Sequence, residues 1–219
     1  MISRIIASAL LTMGSVSLFA QKTISEGTFV YSISTQGGKT AQADPLAGAT
    51  NTVSLKGSLS RIDMASPLGK ETTIYDGKTG TGAILKEYSG QKLMITLTKD
   101  NWQSQNSKFD GITFVNTTET KSIAGYNCVK ATATLKDGSV ITVYYAPDVI
   151  ITNKDYNQTF KNLQGLPVQY EFESGKLKFQ YLLSSANFAA IPVSKFEFPK
   201  TGYRVMTYDE SRQGKKEGS

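Results

Sequence analysis

The sequence predicts a mainly β fold (β-rich α+β): a curved antiparallel sheet or half-barrel of serial hairpins with a few short helices. Three observations lead there. Strand-period alternation begins at Thr28 to Ser34, where Phe29, Tyr31 and Ile33 alternate with polar neighbours. The pairs Asp76-Gly77, Ser89-Gly90, Asp137-Gly138 and Ser174-Gly175 each sit between strand-like runs, and glycine supplies the positive φ that tight hairpin turns need. Beyond the N-terminal apolar run, no long amphipathic helix is evident.

Each element follows from these rules. Thr52 to Lys56 and Ser58 to Met64 read as short strands around Gly57. Gln36 to Thr50 has little to bury and reads as the longest loop, a candidate gate. A two-residue loop at Ser89-Gly90 pairs Glu87 with Lys92, Leu85 with Met94 and Ile84 with Ile95. Apolar pairs then fall on both faces, so this part of the sheet should be covered on both sides. The same arithmetic at Asp137-Gly138 pairs Leu135 with Val140 and Ala131 with Tyr144. At Ser174-Gly175 it pairs Glu173 with Lys176, Glu171 with Lys178 and Gln169 with Gln180 on one face. The other face carries Phe172 with Leu177, Tyr170 with Phe179 and Val168 with Tyr181.

Helical signals are few. Asp155 is placed to cap a short helix running to Leu163, with Gly165 just past its end. Lys99 to Lys108, around Trp102, reads as a turn of helix or a loop. The organisation expected is a signal peptide over residues 1–20, one β-rich domain over 21–207 and a flexible polar tail over 208–219.

The signal reading rests on three parts. Met1 to Arg4 are positively charged, Ile5 to Phe19 are apolar or small, and Ala20-Gln21 offers a small-residue cleavage point. The run is too short, and too rich in Ser and Gly, for a membrane span. An exported protein is expected, periplasmic in the first instance, with an extracellular or outer-membrane-associated location as the alternative. No cysteine follows the apolar run to accept an acyl anchor, so membrane contact should be peripheral or absent. Cys128 is the single cysteine, which excludes an intramolecular disulfide and suits a buried small hydrophobe. Hydrophobic residues make up 39%, enough for a globular core. The excess of basic residues, 24 − 18 = 6, is spread along the chain apart from Lys215-Lys216, so nucleic acid is not an expected partner.

Catalytic chemistry has few residues to draw on. The chain contains 0 histidines, which removes the Ser-His-Asp and Cys-His arrangements and the commonest metal ligand. No metal or cofactor is expected. A carboxylate-only hydrolase stays open, since two acids suffice for glycoside chemistry. Asp63, Asp76, Glu87, Glu171 and Glu173 are among the acids, but no spacing singles out a pair. Gly38-Lys39-Thr40 and Gly77-Lys78-Thr79 echo a phosphate loop yet lack its earlier glycine, Ile33 and Thr72 standing there instead.

Apolar binding is the stronger expectation. Tyr31, Ile33, Ile62, Met64, Leu85, Met94, Trp102, Phe179 and Tyr181 are the candidate ligand-binding residues. A twisted antiparallel sheet curls, and its concave face can hold an apolar ligand. The same residues equally suit an ordinary filled core, which leaves a structural or protein-interaction module of the envelope open.

Two segments carry a family resemblance. Ile123-Ala124-Gly125-Tyr126-Asn127-Cys128 forms an I-x-G-Y-x-C turn, followed by a strand through Tyr144-Tyr145-Ala146-Pro147-Asp148. Gly165-Leu166-Pro167 then opens a further strand. Together they resemble uncharacterised secreted bacterial proteins related to the GLPGLI family of the Bacteroidetes. Val168-Gln169-Tyr170 stands where that family carries a second glycine, which favours its relatives of unknown function. The resemblance extends, more distantly, to LolA-like lipoprotein carriers. It implies a half-barrel with helices on its concave side, an acyl chain or lipoprotein as partner, and no catalytic residues. Gly125, Tyr126, Cys128, Gly165 and Pro167 read as structural motif positions: a tight turn, a packed ring, a buried thiol and a strand start.

Overall fold

Alternating burial along short segments sends the chain back and forth as hairpins. The computed structural model describes residues 21–36, 46–174 and 177–216. The predicted signal peptide and residues 37–45 of the candidate gate lie outside the described residues.

The first meander comprises β2 (Glu26–Gln36), β3 (Thr50–Lys56), β4 (Leu59–Ser66), β5 (Gly69–Asp76), β6 (Thr81–Tyr88) and β7 (Gln91–Leu97). The second comprises β8 (Val115–Ile123), β9 (Tyr126–Thr134), β10 (Val140–Ala146), β12 (Leu166–Ser174) and β13 (Leu177–Asn187). β13 pairs antiparallel with β2 and joins the two meanders. A short strand β14 (Arg204–Thr207) adds in parallel to β7. The result is one curved, open, twelve-stranded sheet ordered β14-β7-β6-β5-β4-β3-β2-β13-β12-β10-β9-β8. Separately, β1 (Lys22–Ile24) pairs in parallel with β11 (Val149–Ile151).

Register decides what each face carries. The rung Phe29–Val53–Ile62–Thr73–Ile84–Ile95–Met206 crosses β2 to β7 and ends on β14, all on one face. That face holds the main core. Tyr31, Val53, Val143, Val168 and Tyr170 pack there with Ile112, Tyr156, Phe160 and Leu163 from the connections. Farther along, Tyr75, Ile84, Ile95 and Leu97 pack against Trp102. Trp102 lies on helix α1 (Lys99–Asn106), begun by a capping box in which Thr98 Oγ1 accepts from the Asn101 N–H and the Asn101 side chain returns the bond.

The opposite face of the first meander has its own cover. Ile74, Ala83 and Leu85 pack beneath Ile191 and Phe196. The covering segment is tied by Glu26, which accepts from the Ile191 N–H, and by Arg61 Nη1, which donates to the Lys195 carbonyl at 3.0 Å. Tyr203 Oη donates to Glu87 at 2.7 Å. The expectation of apolar cover on both faces of β6 and β7 is met, with helices on one side and this extended segment on the other.

Several local expectations are corrected. The Ser89-Gly90 register is as derived, with φ of 51° and 77° at the two loop residues. Asp76-Gly77 opens a four-residue connection, and the positive φ of 72° belongs to Gly80. At Asp137-Gly138, Leu135 N–H bonds to the Ser139 carbonyl and Ala131 pairs with Val143, one residue away from the expected register. The reason is a three-residue loop closed by Gly138 at φ 83°. At Ser174-Gly175 the register moves by two, pairing Phe172 with Phe179, Tyr170 with Tyr181 and Glu173 with Lys178. A shift of two keeps every side chain on its predicted face. Asp155 caps no helix: Asn153 and Asn157 instead cap two 3-10 turns, Lys154–Tyr156 and Gln158–Phe160. The predicted tail begins as helix α2 (Tyr208–Lys216), because Glu210 accepts from the Thr207 N–H at 2.7 Å and Tyr208 packs near Ile95 and Trp102.

Candidate functional site

Helix α2 packs against β7 and β14. Between it, α1 and strands β5 to β7 and β14 is a cavity of about 440 Å³. Its floor consists of two neighbouring rungs of the sheet. One is apolar, Ile84–Ile95–Met206, and the next runs Glu71–Lys86–Leu93. Tyr208, Glu210, Ser211 and Arg212 of α2 form a wall, and Gln105 of α1 forms another. The apolar rung lies beside charged and polar groups from the second rung and from α2. Lys86 Nζ pairs with Glu71 at 3.0 Å, and the Arg212 guanidinium lies 6.0 Å from the Tyr208 ring centre. Hydrogen bonds from the Thr207 backbone and hydroxyl hold the Glu210 carboxyl below its ordinary value. An apolar floor with a few convergent polar groups, at this volume, is the form of a small-ligand site.

A second cleft, of about 500 Å³, opens at the other side of α1. It is polar. Gln103 and Asn106 line it from α1, Asp155 and Gln158 from the 3-10 turns, and Asp110 and Lys161 from the neighbouring connections. Its inner wall is the stacked pair Tyr75 and Trp102, centroids 4.2 Å apart and 13° from parallel.

The structure disperses the nine sequence candidates. Tyr31 and Ile62 belong to the main core. Ile33, Met64, Phe179 and Tyr181 cluster beside it with Leu46 and Ala49, and the Tyr181 ring stacks on Tyr170 at 4.7 Å. These six share the core face but fill it rather than line either cavity. Leu85 and Met94 point to the opposite face, under Ile191 and Phe196. Trp102 alone of the nine lines one of the two cavities, the polar one. Sequence reasoning missed Lys86, Leu93, Met206, Tyr208 and Arg212. The Ile84–Ile95 pair was legible from the Ser89-Gly90 turn. What could not be read was that the segment after Tyr208 folds back as a wall.

The motif positions have physical roles. Gly125 sits at φ 81° in the β8–β9 turn, next to Ala124 at φ 50°. Tyr126 packs against the main core. Cys128 is buried, and burial pushes its thiol up to about 11. Gly165 lies so close to its neighbours that an added Cβ would stand 2.3 Å from the Ala146 carbonyl oxygen. Pro167 enters β12 where the register against β10 shifts between Tyr144 and Tyr145, a place in which its missing N–H is tolerated. The acids are engaged by neighbouring groups: Asp63 with Arg61 and Lys70, Glu87 with Lys92 and Tyr203, and Glu171 and Glu173 together with Lys178. Among the described residues no group of three or more Asp, Glu, Cys or His side chains could hold a metal ion, and no helix is long and apolar enough to cross a membrane.

The fold and the cavity define an open-sheet β protein with a ligand-sized space under its C-terminal helix. In solved structures it is similar to PNGF-II, in two crystal forms. The TM-scores are 0.49 and 0.50, at 15% and 14% identity over 86% and 89% of this chain. The chain spans about a third of the length of PNGF-II, 32% and 33% in the two forms, and the likeness is one of fold. LprF from Mycobacterium bovis aligns at TM-score 0.35 and 9% identity, over 76% of this chain and 88% of its own. A beta-barrel-like protein of a domain of unknown function from Brucella abortus aligns at 0.37 and 8%, over 78% of this chain and 100% of its own. No protein-family model matches the chain and no curated protein matches it, so the GLPGLI resemblance rests on the two quoted segments alone.

Proposed function

We propose that this chain is a non-enzymatic binding domain that takes an apolar or amphipathic ligand, such as an acyl chain, beneath α2. The observation that carries the reading is the apolar floor Ile84–Ile95–Met206 under a helix that leaves about 440 Å³ between them. The mechanism is burial of hydrocarbon, worth about 0.8 kcal/mol per CH₂. Lys86 and Arg212 line the cavity together with Glu71 and Glu210, two charges of each sign, which suits a polar end of the same molecule. With the N-terminal segment read as an export signal, the setting proposed is the periplasm.

Titration of delipidated protein with a fluorescent fatty acid and a lipopeptide tests this. Saturable binding is expected, weakened at least roughly tenfold by Leu93→Lys or Met206→Lys, a loss of about 1.4 kcal/mol. Both positions are only partly buried, and thermal unfolding of the variants separates lost binding from lost folding. Wild-type protein that binds neither probe would refute the proposal. A second reading, a structural or protein-interaction module, draws on the filled region around Tyr31, Tyr170 and Tyr181. It predicts the absence of any small-ligand binding.

A further inference from the structure

We infer that the polar cleft beside α1 is a second binding site, separate from the apolar cavity, for a neutral polyhydroxylated ligand, that is, a sugar. The chemistry of its lining narrows the class. Two carboxylates, Asp110 and Asp155, balance two ammonium groups, Lys99 and Lys161, so the site favours neither an anion nor a cation. Three amides, Gln103, Asn106 and Gln158, each carry a donor and an acceptor on one planar group. A sugar hydroxyl also donates and accepts, and planar amides and carboxylates match neighbouring hydroxyl pairs. An acyl chain would leave these groups desolvated and unpaired.

Part of the cleft is already organised and part is open. Asp155 Oδ1 accepts from Lys161 Nζ at 3.0 Å and from Gln158 Nε2 at 3.3 Å, which holds one wall in place. Asn106 Nδ2 donates to the Trp102 carbonyl at 2.8 Å, leaving its side-chain oxygen available. The Gln103 and Asp110 side chains have no partner among the described residues. The Asp155–Lys161 pairing also argues against a zwitterion, since the two groups that would grip its ends grip each other. Behind them, the Trp102 indole N–H is buried without a hydrogen-bond partner, and Trp102 stacks on Tyr75. At about 500 Å³ the cleft falls within the range of small-ligand sites.

The chain has 1 tryptophan, so intrinsic fluorescence reports on this cleft directly. Purified protein would be titrated with maltotriose, cellotriose and chitotriose while Trp102 emission is followed. A saturable change with at least one of them is expected, with Kd on the order of 1 mM, a free energy near −4 kcal/mol. The exposed-side double variant Gln103→Ala/Asp110→Ala should weaken that binding roughly tenfold, about 1.4 kcal/mol. It should leave thermal unfolding and fatty-acid binding unchanged. No response to any of the three sugars overturns the inference. So does a response to glycylglycine alone, which would make the ligand charged, or a sugar response that the double variant does not weaken.

Discussion

Asp63 lies partly buried on the face covered by the Ile191–Tyr203 segment. Burial pushes its carboxyl up, but hydrogen bonds from Arg61 and Thr72 and the charges of Arg61 and Lys70 together outweigh that and hold it at about 2. The folded value lies below the ordinary 3.8, so the stabilisation is complete above about pH 4 and lost as pH falls through about 2. Asp63→Asn should therefore cost about 2 kcal/mol at neutral pH. Urea unfolding from pH 7 to pH 2 should bring wild type and variant together at the acid end, and equal stability at pH 7 would rule the account out. The two motif glycines make a sharper comparison. Gly125 faces open space but holds a φ of 81°, so Gly125→Ala should cost about 1 kcal/mol. Gly165 has no such φ, yet a Cβ there would press on the Ala146 backbone, and Gly165→Ala should cost about 3 kcal/mol. Their order in urea midpoint checks both reasons at once.

At the scale of elements, what was legible depended on how much each turn left to choice. Ser89-Gly90 is a two-residue loop with both residues at positive φ, and its register followed from counting. Gly138 takes its positive φ as the last residue of a three-residue loop, and a glycine alone does not tell these cases apart. At Ser174 the register moved by two, yet the charged face of Glu171, Glu173 and Lys178 stayed together because period two survives such a shift. The cavity was less legible. Its wall is α2, in which Tyr208 is the single aromatic or aliphatic side chain, and its place depends on β14 pairing with a strand far back in the chain. The Ile191–Tyr203 segment lacks regular structure over most of its length and is held by three polar ties and two apolar side chains. Phe196→Ala should cost about 3 kcal/mol or more and loosen that segment first. Hydrogen exchange should then rise at Ile191 and the outer face of β5 and β6 before it rises in β12 and β13. Uniform loss of protection would mean that the segment is not a separate unit.

The twelve-stranded sheet is two meanders joined along one seam, β2 against β13. The seam runs from Asn187↔Thr28 to Lys178↔Gln36, with one bulge between Leu183 and Ser185. Side chains reinforce it. Tyr31 Oη donates to the Pro167 carbonyl at 2.8 Å, and the Tyr31 ring meets Tyr170 edge-on at 5.6 Å. Tyr31 thus links the first meander to the second across β13, in a setting where burial raises its phenol well above the usual value. Tyr31→Phe keeps the ring and removes the one donor, leaving the Pro167 oxygen buried without it. The cost should be about 1–3 kcal/mol. Because the seam is shared, that loss should shift the entire unfolding curve. Trp102 fluorescence reports from the first meander, and the alkylation rate of Cys128 from the second. Both should move to the same lower urea midpoint. If Cys128 becomes reactive in the variant while Trp102 still reads native, each meander folds on its own and the seam is only an interface between them.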